Sequence, residues 1–84
     1  MNDNDFWQVQ VGVFSQLASA RQQLSASLQA APTVLFNAKV VPLWRGGTAL
    51  YRAMFQGLSQ ENAGNACYAL KARRIDCFAL PPTG

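Results

Sequence analysis

Residues 7–15, WQVQVGVFS, decide the fold of this chain, together with a similar stretch at residues 51–59, YRAMFQGLS. Both stretches alternate inward and outward residues with a period of two, which is typical of a half-buried strand. Both end on a serine, Ser15 or Ser59, at the predicted N-cap of an amphipathic helix. One strand and one helix cannot bury their apolar sides alone, so we expect two such units to share one sheet.

The first predicted helix has an apolar stripe at three- and four-residue spacing and ends before Pro32. The stripe consists of Leu17, Ala20, Leu24 and Leu28. The remaining positions are mostly glutamine and serine, and we expect them to face solvent: Gln16, Ser19, Gln22, Gln23, Ser27 and Gln29.

The middle of the chain predicts a β-hairpin. A β-rich stretch covers residues 33–44, and Arg45, Gly46 and Gly47 form the clearest hairpin signal. Pro42 cannot donate to a strand ladder, so we expect the strand before the turn either to lie at an edge of the sheet or to end near Pro42. The return strand covers residues 48–55, with residues 56 and 57 at its exit.

The second predicted helix carries Ala63, Ala66, Cys67 and Leu70 on one stripe, and a short strand follows at residues 75–80. The order β-α-β-β-α-β, with right-handed crossovers, predicts an α+β fold of the split βαβ (ferredoxin-like, RNP-like) type. Its four-stranded antiparallel sheet has two helices on one face, so we expect function on the other. The predicted parts are an N-terminal end at 1–5, a domain at 6–80 and a tail at 81–84.

Composition is that of one small domain, with 84 residues, 50% hydrophobic and 13% charged. No apolar run approaches the ~18 residues of a membrane span, and no signal-peptide pattern is present. We therefore expect a longer parent protein to carry the targeting signal. Beyond residue 5, the chain has seven lysines and arginines and only two acidic residues, Glu61 and Asp76. This basic surplus favours an anionic partner without choosing among nucleic acid, acidic lipid and acidic polysaccharide.

Catalysis is not predicted, because the chain has no histidine and no carboxylate beside a candidate nucleophile. Two cysteines without histidine are too few ligands for a zinc site, so no metal and no cofactor is expected.

The two half-motifs together resemble the bacterial SPOR (sporulation-related repeat) domain. The resemblance covers residues 6–80 and is carried by residues 10–15, QVGVFS, after an aromatic residue, and by Tyr51 and Arg52 in the third strand. It implies a peptidoglycan-binding module of periplasmic or other cell-envelope proteins. Such modules recognise glycan strands that lack stem peptides, as at division septa, with the sheet face away from the helices. Other envelope or division proteins are further candidate partners, and contact with a membrane is expected only through a parent protein's anchor.

Three features depart from the family pattern. Val13 replaces a small residue that is often serine, Leu58 replaces an aromatic residue, and the glycine at position 57 is shifted by one place. These departures bear on the details of the site more than on the fold.

Alternation places seven candidate glycan-binding residues on the face away from the helices: Gln8, Gln10, Gly12, Leu50, Arg52, Met54 and Phe78. A stripped glycan strand presents acetamido groups, sugar faces and a lactyl carboxylate on every muramic residue. Gln10 can pair with an acetamido group, and the Arg52 guanidinium can bind a carboxylate through two hydrogen bonds.

Phe78 and Leu50 offer an apolar platform for the sugar faces, with Trp44 or Phe36 as further candidates, and Gly12 allows close approach of the backbone. From the pattern alone, Gln10 is as well explained by simple solvation. Arg52 is equally explained by covering its apolar neighbours with its stem.

Cys67 and Cys77 lie at inward positions of adjoining elements. If the protein lies in the cell envelope, the two cysteines can form a disulfide. The alternative is two buried thiols, and the sequence does not decide between them.

Two other functions share this fold. RNA-recognition domains stack bases on aromatic residues of the first and third strands. Here the alternation places the third-strand aromatics Tyr51 and Phe55 on the buried side of the sheet, so nucleic acid is not expected as a partner. A protein-interaction or dimerisation domain would use an edge strand, for which residues 33–41 are the candidate.

Overall fold

The computed structural model describes residues 6–82 and contains four strands and two helices. In chain order they are β1 (Trp7–Phe14), α1 (Leu17–Ala30), β2 (Ala38–Arg45), β3 (Thr48–Leu58), α2 (Gln60–Ala72) and β4 (Phe78–Leu80). The sheet order is β2-β3-β1-β4, and each neighbouring pair is antiparallel. The predicted α+β fold is confirmed. The predicted N-terminal end at 1–5 and the last two tail residues lie outside the described residues.

No helix within residues 6–82 is both long enough and apolar enough to span a membrane.

One hydrophobic core lies between the sheet and both helices. From the sheet it receives Val9, Val11, Ala53, Phe55 and Leu58, and from the helices Ala20, Leu24, Ala63, Ala66 and Leu70. Trp7, Phe14 and Tyr51 pack against this core as half-buried side chains. Burial of these groups is the main driving force for folding.

The β2–β3 hairpin turns through Gly46 and Gly47, whose φ angles are 58° and 78°. Positive φ at both turn residues is the requirement of a two-residue type I′ hairpin, and glycine meets it without steric cost. The turn pairs Arg45 with Thr48 and thereby determines which β2 residues share a face with β3. As predicted, β2 is an edge strand, but it begins at Ala38, and residues 33–37 form turn and loop instead of strand.

A bulge in β1 changes the predicted alternation. Gln10 pairs with Met54 and Gly12 pairs with Ala53, so Val11 is an extra residue without a partner in β3. After the bulge, Val13 lies opposite Arg52 and is 44% exposed, on the side of the sheet away from the helices. The strict alternation predicted for residues 7–15 therefore fails at Val13. A second irregularity at residues 56 and 57 lets β3 continue to Leu58, where it pairs with Trp7.

Only one of the two predicted serine caps forms. The Ser59 hydroxyl accepts a hydrogen bond from the Asn62 amide at 3.0 Å at the start of α2. α1 instead begins after Gln16, whose side chain makes no capping hydrogen bond. The predicted cap at Ser15 is wrong, because Ser15 lies one residue too early for its hydroxyl to occupy the N-cap position.

Cys67 and Cys77 form a disulfide with a Cα–Cα distance of 5.2 Å. The bridge joins α2 to the residue that immediately precedes β4. Of the two alternatives that the sequence left open, the structure contains the bridged one.

Candidate functional site

The side of the sheet away from the helices is here called the free face. Residues opposite each other on neighbouring strands share a face, so the register defines its members. They are Gln8, Gln10 and Val13 of β1, Lys39, Val41, Leu43 and Arg45 of β2, Thr48, Leu50, Arg52, Met54 and Gln56 of β3, and Phe78 and Leu80 of β4. Six of the seven sequence-predicted site residues lie on it.

A groove of about 500 Å³ crosses this face. Its lining consists of Gln8, Val41, Arg52, Met54, Gln56, Leu80, Pro81 and Pro82. Of the sequence-predicted residues, the groove includes Gln8, Arg52 and Met54, whereas Gln10, Leu50 and Phe78 lie on the same face outside its lining.

Arg52 forms the cationic part of the groove. It lies between Val13 and Val41 on the neighbouring strands, and its side chain is half-buried. Its Nε is buried and has no hydrogen-bond partner among residues 6–82. A buried donor without an acceptor costs about 1–3 kcal/mol, and a guanidinium pairs best with a planar anion that accepts two parallel hydrogen bonds. The groove is therefore lined by an arginine whose guanidinium lacks a protein acceptor at Nε and is suited to pair with a carboxylate.

Two glutamine amides form the neutral polar part of the groove. The Nε2 of Gln56 donates to the Oε1 of Gln8 at 3.4 Å. A primary amide has two donor hydrogens and an acceptor oxygen with two lone pairs, so this single bond leaves both side chains capable of further hydrogen bonds. An acetamido group has the complementary donor and acceptor.

Met54 and Gly12 have roles that differ from the predicted ones. Met54 lines the groove but is only 2% exposed, so it supports the floor and offers a ligand little area. Gly12 pairs with the core residue Ala53, on the helix side. A Cβ added to Gly12 would lie 2.6 Å from the Phe14 ring, so the glycine makes room for that ring. The prediction that Gly12 admits a ligand is wrong, because the bulge at Val11 reverses the direction in which position 12 points.

The aromatic candidates are divided between the two sides of the sheet. Phe78 lies beside Gln10 on the free face and is 60% exposed, so its ring is accessible from solvent. Trp44 is 73% exposed, but it lies opposite Ala49. Ala49 points to the same side of β3 as Tyr51, so Trp44 lies on the side of the sheet that faces the helices. Phe36 precedes β2 and lies outside the groove lining.

Sequence reasoning missed Val41, Gln56, Leu80 and the two prolines of the groove. The hairpin turn alone was a sufficient signal for Val41, because a two-residue loop after Arg45 places it opposite Arg52. Gln56 has the parity of Arg52 and Met54, but the predicted strand ended at residue 55. Nothing in the local pattern indicated that Pro81 and Pro82 line the groove.

The free face is cationic. The four strands contain three cations, Lys39, Arg45 and Arg52, and no aspartate or glutamate. All three lie on the free face. The sequence had placed only Arg52 there, and the register adds Lys39 and Arg45. Within residues 6–82, no three His, Cys, Asp or Glu side chains are grouped so that they could hold a metal ion.

Comparison with known proteins finds one family and the same fold in solved structures. The family model of the SPOR domain matches residues 3–81. The SPOR domain of RlpA from Pseudomonas aeruginosa superposes with a TM-score of 0.76 at 14% identity, covering 90% of this chain and 99% of that chain. The peptidoglycan-binding domain of the B. subtilis cell wall lytic enzyme CwlC superposes with a TM-score of 0.62 at 21% identity, covering 89% and 86%. At these identities the two structures establish the fold. No curated protein gives a significant sequence match.

Proposed function

The chain belongs to the SPOR domain family, and from this premise we propose that it is a peptidoglycan-binding domain that uses the free face and its groove. The family is non-catalytic, so the activity to be explained is binding. The CwlC domain of the same fold is described as peptidoglycan-binding, which supports the same ligand class for this chain.

The unpartnered Nε of Arg52 is the observation that carries the proposal. The Nε itself is closed to solvent, so a ligand carboxylate reaches it only with a shift of the Arg52 side chain, and that shift would satisfy a donor that the protein leaves without a partner. Lys39 and Arg45 on the same face add attraction for a polyanionic strand. The pair of glutamine amides at Gln8 and Gln56 supplies partners for an acetamido group.

The finer proposal is that the domain recognises glycan strands that lack stem peptides. A stem peptide converts the lactyl carboxylate of muramic acid into an amide, so an amidase that removes the peptide restores the negative charge. At the lactyl group itself, Arg52 gains an ionic partner only on the stripped strand. Such recognition would direct a parent cell-envelope protein to the septum or the cell wall, in the periplasm, with residues 6–80 as the binding domain.

Edge-strand association is less well supported. β2 is one of the two edge strands, but Lys39 and Pro42 lie within it, and charged and proline residues are the features that discourage pairing with another chain. RNA binding is also less well supported, because Tyr51 and Phe55 pack on the helix side and leave Phe78 as the aromatic residue of the free face within residues 6–82.

The test is co-sedimentation with purified peptidoglycan sacculi before and after amidase treatment, for the wild type and for Arg52→Gln. We expect stronger binding to the stripped sacculi, and about tenfold to hundredfold weaker binding for the variant, since a charge-assisted hydrogen bond contributes about 1.5–3 kcal/mol. The stability of Arg52→Gln should be unchanged or higher, because the substitution removes an unsatisfied buried donor.

Arg21→Gln is the matched control, since it removes one exposed positive charge from α1. Equal losses in the two variants would show that the overall charge binds the sacculi and would contradict a site at Arg52. If intact and stripped sacculi bind equally, the proposed preference for stripped strands is wrong, whereas peptidoglycan binding stands. If neither preparation binds the wild type, both the proposed peptidoglycan binding and the proposed preference for stripped strands are wrong.

A further inference from the structure

The last described residues form one wall of the groove. β4 has three residues and pairs only with β1, through Phe78, Ala79 and Leu80. Leu80 lies beside Gln8 and lines the groove, and Pro81 and Pro82 continue the lining beyond the strand. So short an edge strand has few backbone hydrogen bonds, and elements of this kind are the first to open locally.

The disulfide lies at the start of this wall. Cys77 immediately precedes β4, and Cys67 lies on the buried stripe of α2. Both cysteines are almost fully buried, at 3% and 8% exposure. Residues 73–76 connect α2 to Cys77 and are exposed except for Ile75, which packs against the core. Three features therefore attach the wall to the rest of the domain: the packing of Ile75, the pairing of β4 with β1, and the bridge. The bridge is the covalent one.

We propose that the Cys67–Cys77 bridge is a positioning element for ligand binding, which holds β4, and with it the groove wall of residues 80–82, in place. The inference rests on the proposed function for its ligand. Its physical basis is the cost of ordering, because a wall that opens locally must be ordered at the moment of binding, which lowers the affinity. The bridge supplies that order in advance.

The first test needs no ligand. Amide hydrogen exchange is compared between the oxidised protein and the protein treated with dithiothreitol, which transfers two electrons and two protons to the bridge and becomes a cyclic disulfide. The double variant Cys67→Ala, Cys77→Ala gives the same comparison without reductant. We expect protection of the β4 amides to fall at least about tenfold more than that of the Phe55 amide in β3, because local opening is confined to the weakly held element.

The second test measures affinity for stripped sacculi at a temperature where each protein remains folded. We expect about five- to tenfold weaker binding after loss of the bridge. Pro81→Ser with Pro82→Ser should weaken binding while the bridge is intact, since both prolines are exposed and their replacement leaves the core unchanged. Leu28→Ala lowers stability from α1, which carries no groove residue, and should leave the affinity unchanged.

Three results would overturn the proposal. One is unchanged β4 exchange after loss of the bridge. Another is full affinity in a reduced protein whose β4 exchanges rapidly. The third is an affinity loss for Leu28→Ala as large as that for the bridge variant, which would assign the effect to general stability. If the oxidised wild type fails to bind sacculi, the proposed function fails, and the exchange comparison still decides whether the bridge holds β4.

Discussion

Gln23 connects helix α1 to the bulge in β1. Its Nε2 donates to the carbonyl oxygen of Val11 at 2.9 Å, and Val11 is the residue that the bulge leaves without a partner in β3. The hydroxyl of Ser27, a fully buried residue, donates to the Gln23 carbonyl at 2.7 Å. The expectation that both side chains face solvent is wrong. Gln23 thus contacts the bulge after which Val13 lies beside Arg52 on the free face.

We expect Gln23→Ala to lower the free energy of unfolding by about 1–2 kcal/mol, because it leaves the carbonyl at the bulge without this donor. Gln22→Ala is the matched control, since the neighbouring glutamine is exposed, and it should change stability by less than about 0.5 kcal/mol. Urea denaturation followed by circular dichroism measures both. Equal effects of the two substitutions would show that the hydrogen bond to Val11 does not support the bulge.

At the scale of elements, the two strand-to-helix units are less alike than their sequences. Ser59 directly precedes α2 and accepts the Asn62 amide, whereas one residue separates Ser15 from α1. Glu61 in the first turn of α2 further favours that helix through its dipole, and α1 has no acid in its first turn. The start of α2 is thus stabilised locally, and α1 depends more on packing against the sheet.

Ser59→Ala should therefore lower the free energy of unfolding by about 1 kcal/mol, the usual cost of a lost cap. The same substitution at Ser15 should have almost no effect, because Ser15 is exposed and caps no helix. Thermal denaturation of the two variants beside the wild type provides the measurement. A comparable loss at Ser15 would mean that it, and not Gln16, caps α1 in solution.

At the scale of the whole molecule, six of the seven lysines and arginines are divided between two regions, and the seventh is Arg21 of α1. One consists of the free-face cations Lys39, Arg45 and Arg52. The other consists of Lys71, Arg73 and Arg74 around the end of α2, where the helix dipole favours positive charge. Only the first region lies on the proposed binding surface.

We expect affinity for stripped sacculi to fall as sodium chloride is raised from about 0.05 to about 0.5 M, since the screening length falls from roughly 14 Å to roughly 4 Å over this range. The salt dependence should be weaker for Arg52→Gln and unchanged for Arg73→Gln, which removes an equal charge on the helix side. Co-sedimentation across the salt series measures this. An affinity that does not change with salt would exclude an ionic contact between the free face and the glycan.

The sequence by itself determined the order of the elements, the hairpin at Gly46 and Gly47, the edge position of β2 and most of the buried stripes. These features depend on local properties: periodicity along one segment, the φ preference of glycine and the missing donor of proline. It also predicted that six residues lie on the side of the sheet away from the helices, where the register has them, because alternation holds wherever a strand is regular: Gln8, Gln10, Leu50, Arg52, Met54 and Phe78.

Only the tertiary structure decided the composition of the groove, the position of Val13, the role of Gly12 and the presence of the disulfide. Each depends on contacts between residues distant in sequence. The bulge at Val11 arises because β1 has one more residue than β3 at this point of the ladder. Gln23 of α1 donates a hydrogen bond to the Val11 carbonyl there. The groove combines residues of all four strands with Pro81 and Pro82. Periodicity reports the direction of a side chain along one strand, whereas register and packing between strands determine which side chains meet.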